Sequence, residues 1–283
     1  MEYKTLTPED SNYPRKLKER LGPGCPAKLY YNGPLEYLDK FTMAVVSTDS
    51  IGGVGLMAAN QVLFTIREYE MNYIGPWQSV METEIFRLGL WKKCKNTVTL
   101  FSAKGLASET YEKFLLDRFY PPFDKFPERD EYFNRARNGK LLIFSVTEPS
   151  VKRYMRQNII KRNWVLCNLG DIVFIPYGVK GSKTFSVAKR LLKASNIPVF
   201  TTESDVNKDL HDIGVSGFNR KTVRAFLEQK GVKLAFFDEM SKNKTVELLA
   251  ETKKTISYKP QQIEIKHFSD NKKNGKLRQW RIK

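Results

Sequence analysis

The chain has 283 residues, with 48 Lys and Arg against 31 Asp and Glu, so its formal net charge is +17. A hydrophobic content of 41% is enough to build a buried core, which excludes a disordered basic tail. A field of this sign attracts polyanions: nucleic acid first, with an acidic membrane surface or an acidic protein as the other partners that composition allows.

Residues 1–40 are rich in Pro, Gly and Tyr and carry few periodic apolar runs. They read as an extended lead-in, packed on the core, with one short helix at Tyr13–Arg20. From Thr42 the pattern changes. Short apolar runs at Met43–Ser47, Asn72–Gly75, Thr97–Ser102, Leu141–Val146, Ile172–Pro176 and Pro198–Thr202 predict strands. Longer amphipathic stretches predict helices at about 54–70, 78–93, 108–118, 128–138, 151–168, 183–195 and 219–230. Nearly continuous apolar strands alternating with helices make an α/β domain over 41–232. Its sheet is expected to be parallel and covered on both faces. In such sheets ligands sit at the carboxyl ends of the strands.

The alternation stops near residue 240. Residues 233–283 are expected to form a small basic appendage. It consists of a helix at Lys244–Thr252 and two strands, Gln262–Phe268 and Lys276–Lys283, about a turn at Asp270–Gly275. Residues 253–283 carry ten Lys and Arg against Glu264 and Asp270. No apolar run approaches the roughly 20 residues that span a bilayer, and the first residues lack the apolar stretch of a signal peptide. The expectation is a cytoplasmic protein without a membrane partner.

Catalytic and metal-binding patterns are poor. Cys25, Cys94 and Cys167 lie far apart, as do His211 and His267, so neither a zinc site nor a disulfide framework is expected. His211 stands between Asp209 and Asp212, but Leu210 and Ile213 fit an ordinary surface helix. Glu82 and Glu84, two apart on a helix, point to different faces. No G-x-S-x-G or H-E-x-x-H motif occurs. The chain therefore reads as a binding protein and not an enzyme, with no catalytic residue, metal or cofactor predicted.

Binding patterns are better. Ile51-Gly52-Gly53-Val54-Gly55 follows the first core strand and opens a helix. There Gly52, Gly53 and Gly55 let backbone N–H groups approach a phosphate, or the turn is a tight connection with no ligand. Gly178-Val179-Lys180-Gly181-Ser182-Lys183-Thr184 does the same after Ile172–Pro176. Lys180, Gly181, Ser182, Lys183 and Thr184 place small residues, two ammonium groups and two hydroxyls at a helix start. Its glycine spacing is not that of a nucleotide-hydrolysing P-loop, so phosphate binding without hydrolysis is the expectation. Lys152, Arg153, Arg156, Lys161, Arg162 and Asn163 crowd one helix beside Tyr154 and Trp164. Backbone contact there combines with base stacking, or the row is a solvated basic face. Lys189, Arg190 and Lys193 extend the patch.

Taken in order, these features resemble the DNA-processing protein A (DprA, or Smf) family over roughly residues 10–232. Tyr13-Pro14-x-x-Leu17 and Pro26-x-x-Leu29-Tyr30-x-x-Gly33 resemble its lead-in. Lys161–Leu169 resembles its Arg-Asn-Arg-Ile-Ile-x-x-Leu helix end, and Ile172–Ile175 with Gly181-Ser182 its strand before Ser-Gly-Ser. Pro198-Val199-Phe200 resembles a strand before its Pro-Gly turn, and Asp209-Leu210-x-x-x-Gly214-Val215 its closing segment. The chain departs from the pattern at three places. Ser47-Thr48-Asp49 stands for Gly-Ser-Arg, only Gly75 survives of the Ser-Gly-x-Ala-x-Gly-Ile-Asp motif, and Trp164 replaces the second arginine of Arg-Asn-Arg.

The resemblance implies an extended Rossmann-like fold and non-enzymatic binding of single-stranded DNA. It also implies dimerisation and a recombinase as partner. On this reading Lys152, Arg153, Arg156, Arg162, Asn163, Trp164, Lys180, Gly181, Ser182 and Lys183 contact DNA, and Gly52, Gly53, Gly55 and Thr184 meet phosphate or nucleotide. DNA, RNA and protein remain open as the main partner. Two other roles fit a relative of this family: an antitoxin that neutralises a phosphoribosyltransferase-like toxin in phage defence, and a nucleotide-ligand sensor.

Overall fold

The structure, a computed structural model, describes residues 1–89, 95–108, 129–138 and 141–234. Two units divide the chain, Met1–Phe236 and Phe237–Lys283. The second lies outside the described residues, and with it the predicted helix and hairpin of the appendage. The predicted helix at 108–118 also falls there, apart from its first residue.

Nine strands form one sheet: β1 (Lys4–Leu6), β2 (Leu29–Asn32), β3 (Thr42–Val45), β4 (Asn72–Gly75), β5 (Thr97–Ser102), β6 (Leu142–Ser145), β7 (Ile172–Ile175), β8 (Val199–Thr202) and β9 (Ser216–Phe218). Their order is β1-β2-β6-β5-β4-β3-β7-β8-β9. From β6 to β9 every pair is parallel, whereas β1 and β2 join antiparallel at one edge. The six predicted strands all occur, within a residue or two of their expected ends.

The lead-in is more than a packing segment, because it contributes β1 and β2. Tyr30 and Tyr31 of β2 pair with Ser145 and Phe144 of β6, so residues close to the start of the chain close one edge of the sheet. The fold is the α/β, Rossmann-like class expected.

Alternation along the strands sorts the core into two layers. Met43 and Val45 of β3 point to one face, where α2 (Gly53–Ile66), α3 (Val80–Gly89) and α8 (Arg220–Gln229) pack. Ala44 and Val46 point to the other, which is covered by α1 (Arg15–Leu21), α5 (Arg156–Leu169), α6 (Lys183–Ala194) and α7 (Lys208–Asp212). Among the described residues a further helix, α4 (Arg129–Arg137), precedes β6. Among the described residues no helix is long and apolar enough to cross a membrane.

Three features position the site. Strand order reverses at β3, whose neighbours are β4 and β7, so a crevice opens at the carboxyl ends of β3 and β7. Helix α5 begins at Arg156 and not at Val151. The five residues before it are held as a loop, with Val151 N–H donating to Glu148 O and Gly105 N–H to Val151 O. Finally, α5 leads into β7 and α6 leads out of it, so both helix N-termini lie at this carboxyl edge.

Candidate nucleic-acid interface

The predicted residues fall into two places, the strand-end crevice and a groove between α5 and α6. At the crevice, three backbone donors outside the predicted glycine turn are spent on the protein itself. Ser47 N–H donates to Glu82 Oε1 at 2.8 Å, and Gln78 and Ser79 N–H donate to Glu82 Oε2 at 2.8 and 2.9 Å. Ser79 Oγ in turn accepts from Glu82 N–H, which completes a reciprocal cap at the start of α3. Thr48 N–H donates to Tyr177 O across the crevice.

Glu82 is buried, and burial raises its carboxyl above the usual range against the lowering pull of these three N–H groups and of Arg162. A carboxylate thus occupies the backbone donors of Ser47, Gln78 and Ser79.

The turn at 178–184 is braced in the same way. Lys180 N–H donates to Asp209 Oδ2 at 2.8 Å, and Gly178 N–H to Asn207 Oδ1 at 3.4 Å. Asn207 is itself buried and donates to Pro176 O and Thr202 Oγ1. Ser182 caps α6, its Oγ accepting from Phe185 N–H at 3.0 Å. Gly181 takes the left-handed conformation, φ +86°, which the turn requires and a side chain would resist. Thr184 is buried behind the cap. Of the glycines before α2, Gly52 and Gly53 are exposed with open space about them, while Gly55 packs against Ile51 and Val206. Gly55 is therefore accounted for by close packing.

The cations separate by depth. Lys152 and Arg153 are exposed on the loop before α5, and Arg156, Lys180 and Lys183 are exposed at the helix starts. Arg162, predicted to touch DNA, is only 2% exposed. Its Nη1 donates to Phe101 O at 3.3 Å, beneath the carboxyl end of β5. Arg162 lies on the apolar stripe of α5, in register with Val165, Leu166 and Leu169 at spacings of 3, 4 and 7, so the helix turns it inward. Arg162→Ala is therefore expected to cost stability, about 1–3 kcal/mol. Arg156→Ala should stay within about 0.5 kcal/mol. Thermal melting of the two variants separates the buried role from the exposed one.

The groove between α5 and α6 brings together Arg156, Asn163, Trp164, Gly181 and Lys183, five of the predicted residues. Its cavity is about 170 Å³, and Ile160, Ser186, Val187 and Arg190 complete the lining. Arg190, which the sequence placed only along an extension of the patch, stacks its guanidinium 3.7 Å from the centroid of the Trp164 ring. Tyr154, the other aromatic residue predicted to stack, lies under Lys104 Nζ at 4.5 Å.

Among known proteins, a family model described as DNA recombination-mediator protein A matches residues 4–75. No curated protein matches the chain in sequence. Two solved structures share its fold. DNA processing protein A from Streptococcus pneumoniae is 19% identical, with a TM-score of 0.57 over 83% of this chain and 71% of that one. The corresponding Helicobacter pylori protein, whose structure addresses its single-stranded DNA binding mode, is 19% identical, with a TM-score of 0.59 over 80% of this chain and 96% of that one. The resemblance to the DprA family is thereby borne out by the family model over residues 4–75, and beyond them the likeness is one of fold.

Proposed function

We propose that this protein is a non-enzymatic binder of single-stranded nucleic acid, DNA in the first place, and that the strand runs along the α5–α6 groove. The observation that carries this reading is the groove itself. Arg156 and Lys183 flank it at the carboxyl edge, Lys152, Arg153 and Lys180 stand nearby, and a tryptophan and an asparagine line it. Phosphate contacts by flexible cations give affinity without a fixed duplex geometry. The H. pylori protein of the same fold, whose structure addresses a single-stranded DNA binding mode, supports the choice of ligand. The acids Glu82 and Asp209 support the choice of groove over crevice, because they already hold backbone donors there.

The test is a titration of a labelled single strand at several salt concentrations, with wild type and an Arg156→Ala/Lys180→Ala/Lys183→Ala variant. The wild type is expected to bind with a steep negative salt dependence. Losing three phosphate contacts should flatten the slope of log K against log salt by about 2. Binding that ignores salt, or is the same in the variant, would refute the groove. Tighter binding to duplex than to single strand would refute the ligand.

A further inference from the structure

Resting on that reading, we infer that the groove also recognises a base: one unstacked nucleobase packs against the Trp164–Arg190 stack, with its edge toward Asn163. Phosphates alone need only cations around them. This groove has more. Beside Arg156 and Lys183 it offers Ile160, 43% exposed, and Val187 as an apolar lining. Next to these lies a flat platform, the guanidinium of Arg190 laid over the indole of Trp164.

A planar cation stacked on an aromatic ring is itself a stacking surface, and it holds its plane where a lysine would not. Trp164 is held from below, because it packs against the core cluster that includes Val165 and Leu166.

The second observation is a polar group with nothing to bond. Asn163 is 7% exposed, and its Oδ1 is buried without a hydrogen-bond partner in the protein. A buried acceptor in that state is unfavourable, and a donor that reaches it relieves the cost. A base edge carries N–H donors, and a phosphodiester carries none. The cavity of about 170 Å³ bordered by Asn163, Ser186 and the Trp164–Arg190 pair therefore has the apolar wall, planar face and orphaned acceptor that suit a base. A base inside a duplex is stacked and paired, so this contact selects single strands.

The experiment compares a labelled oligothymidine with an abasic oligomer of the same length and charge, both titrated at one salt concentration. Wild-type protein is expected to bind the base-bearing strand about tenfold more tightly. Trp164→Ala should bring that ratio close to one, weakening the base-bearing strand far more than the abasic strand. Trp164→Phe, which keeps a ring, should keep much of the ratio. Arg190→Lys, which keeps the charge and loses the plane, should lower it.

Equal binding of both strands by wild type would overturn the base contact and leave the backbone reading standing. An undiminished ratio in folded Trp164→Ala would do the same. If Trp164→Ala does not fold, an undiminished ratio in Arg190→Lys decides against the contact. A protein that binds neither strand would overturn the proposed function along with this inference.

Discussion

Glu82→Ala should destabilise the protein by about 3–5 kcal/mol, a large share of the stability of a domain of this size. One buried carboxylate accepts from Ser47, Gln78 and Ser79, so its removal strands three backbone donors at once. It also removes a negative charge that acts on the buried Arg162. The melting temperature should fall by roughly 10 °C. Glu82→Gln should recover only part of this, because its amide group turns a donor toward a donor.

The pH dependence has a definite sign. Burial raises the Glu82 carboxyl above its ordinary value of 4.5, so the folded state binds the proton more tightly than the unfolded state. The stability linked to that proton is fully present below 4.5 and is lost as pH rises through the folded value. The deficit of Glu82→Ala relative to wild type should therefore shrink as pH rises across that window. Denaturant melts at a series of pH values measure it. A deficit that grows with pH would mean that the three N–H bonds outweigh burial.

Trp77→Ala should cost about 3–5 kcal/mol. Trp77 is fully buried and packs on Phe86, with ring centroids 5.7 Å apart. Its Nε1 donates to Thr99 O at 3.1 Å, tying the loop after β4 to β5. Its φ of 55° is uncommon for a bulky residue, so the ring's packing must outweigh the backbone strain. Gly75 accommodates it, since a Cβ there would stand 2.9 Å from the indole. Trp77→Gly, which relieves the backbone, should lose nearly as much as Trp77→Ala, and chemical denaturation can compare them. A Trp77→Gly variant as stable as wild type would show that the ring contributes little.

Much of the architecture could be read from the sequence because the central strands are short, largely apolar and buried runs. Asn72–Gly75 and Thr97–Ser102 occur with the ends expected. Strands β1 and β9 were not legible. Lys4–Leu6 has only one buried residue, and Ser216–Phe218 has a glycine at its centre; each is a strand only by virtue of the neighbour it pairs with. Leu29–Asn32 was hidden by the Pro and Gly around it, and its partner β6 lies more than 100 residues away.

The site was legible in its cations and less so in their depth. Lys152, Arg153, Arg156, Lys180 and Lys183 are at the surface, whereas Arg162 is inside, a difference that the spacing to Val165, Leu166 and Leu169 announces. Glu82 carries its own signal, since Ser79-x-x-Glu82 has the spacing of a capping box. What no local pattern could supply is the reach of Glu82 to Ser47 in a different loop.

The acids at the sheet edge have a consequence for measurement. Glu82 and Asp209 act as counterions that the fold supplies for itself, fixed at the carboxyl edge of the sheet. A polyanion approaching the crevice at that edge finds these donors taken, and it displaces small cations from its own phosphates only where the exposed lysines and arginines of the groove meet it. Ion release on binding therefore counts the basic side chains along a track and not the formal charge of +17. A titration across salt is in this sense a ruler: its slope gives the number of phosphates the groove can hold.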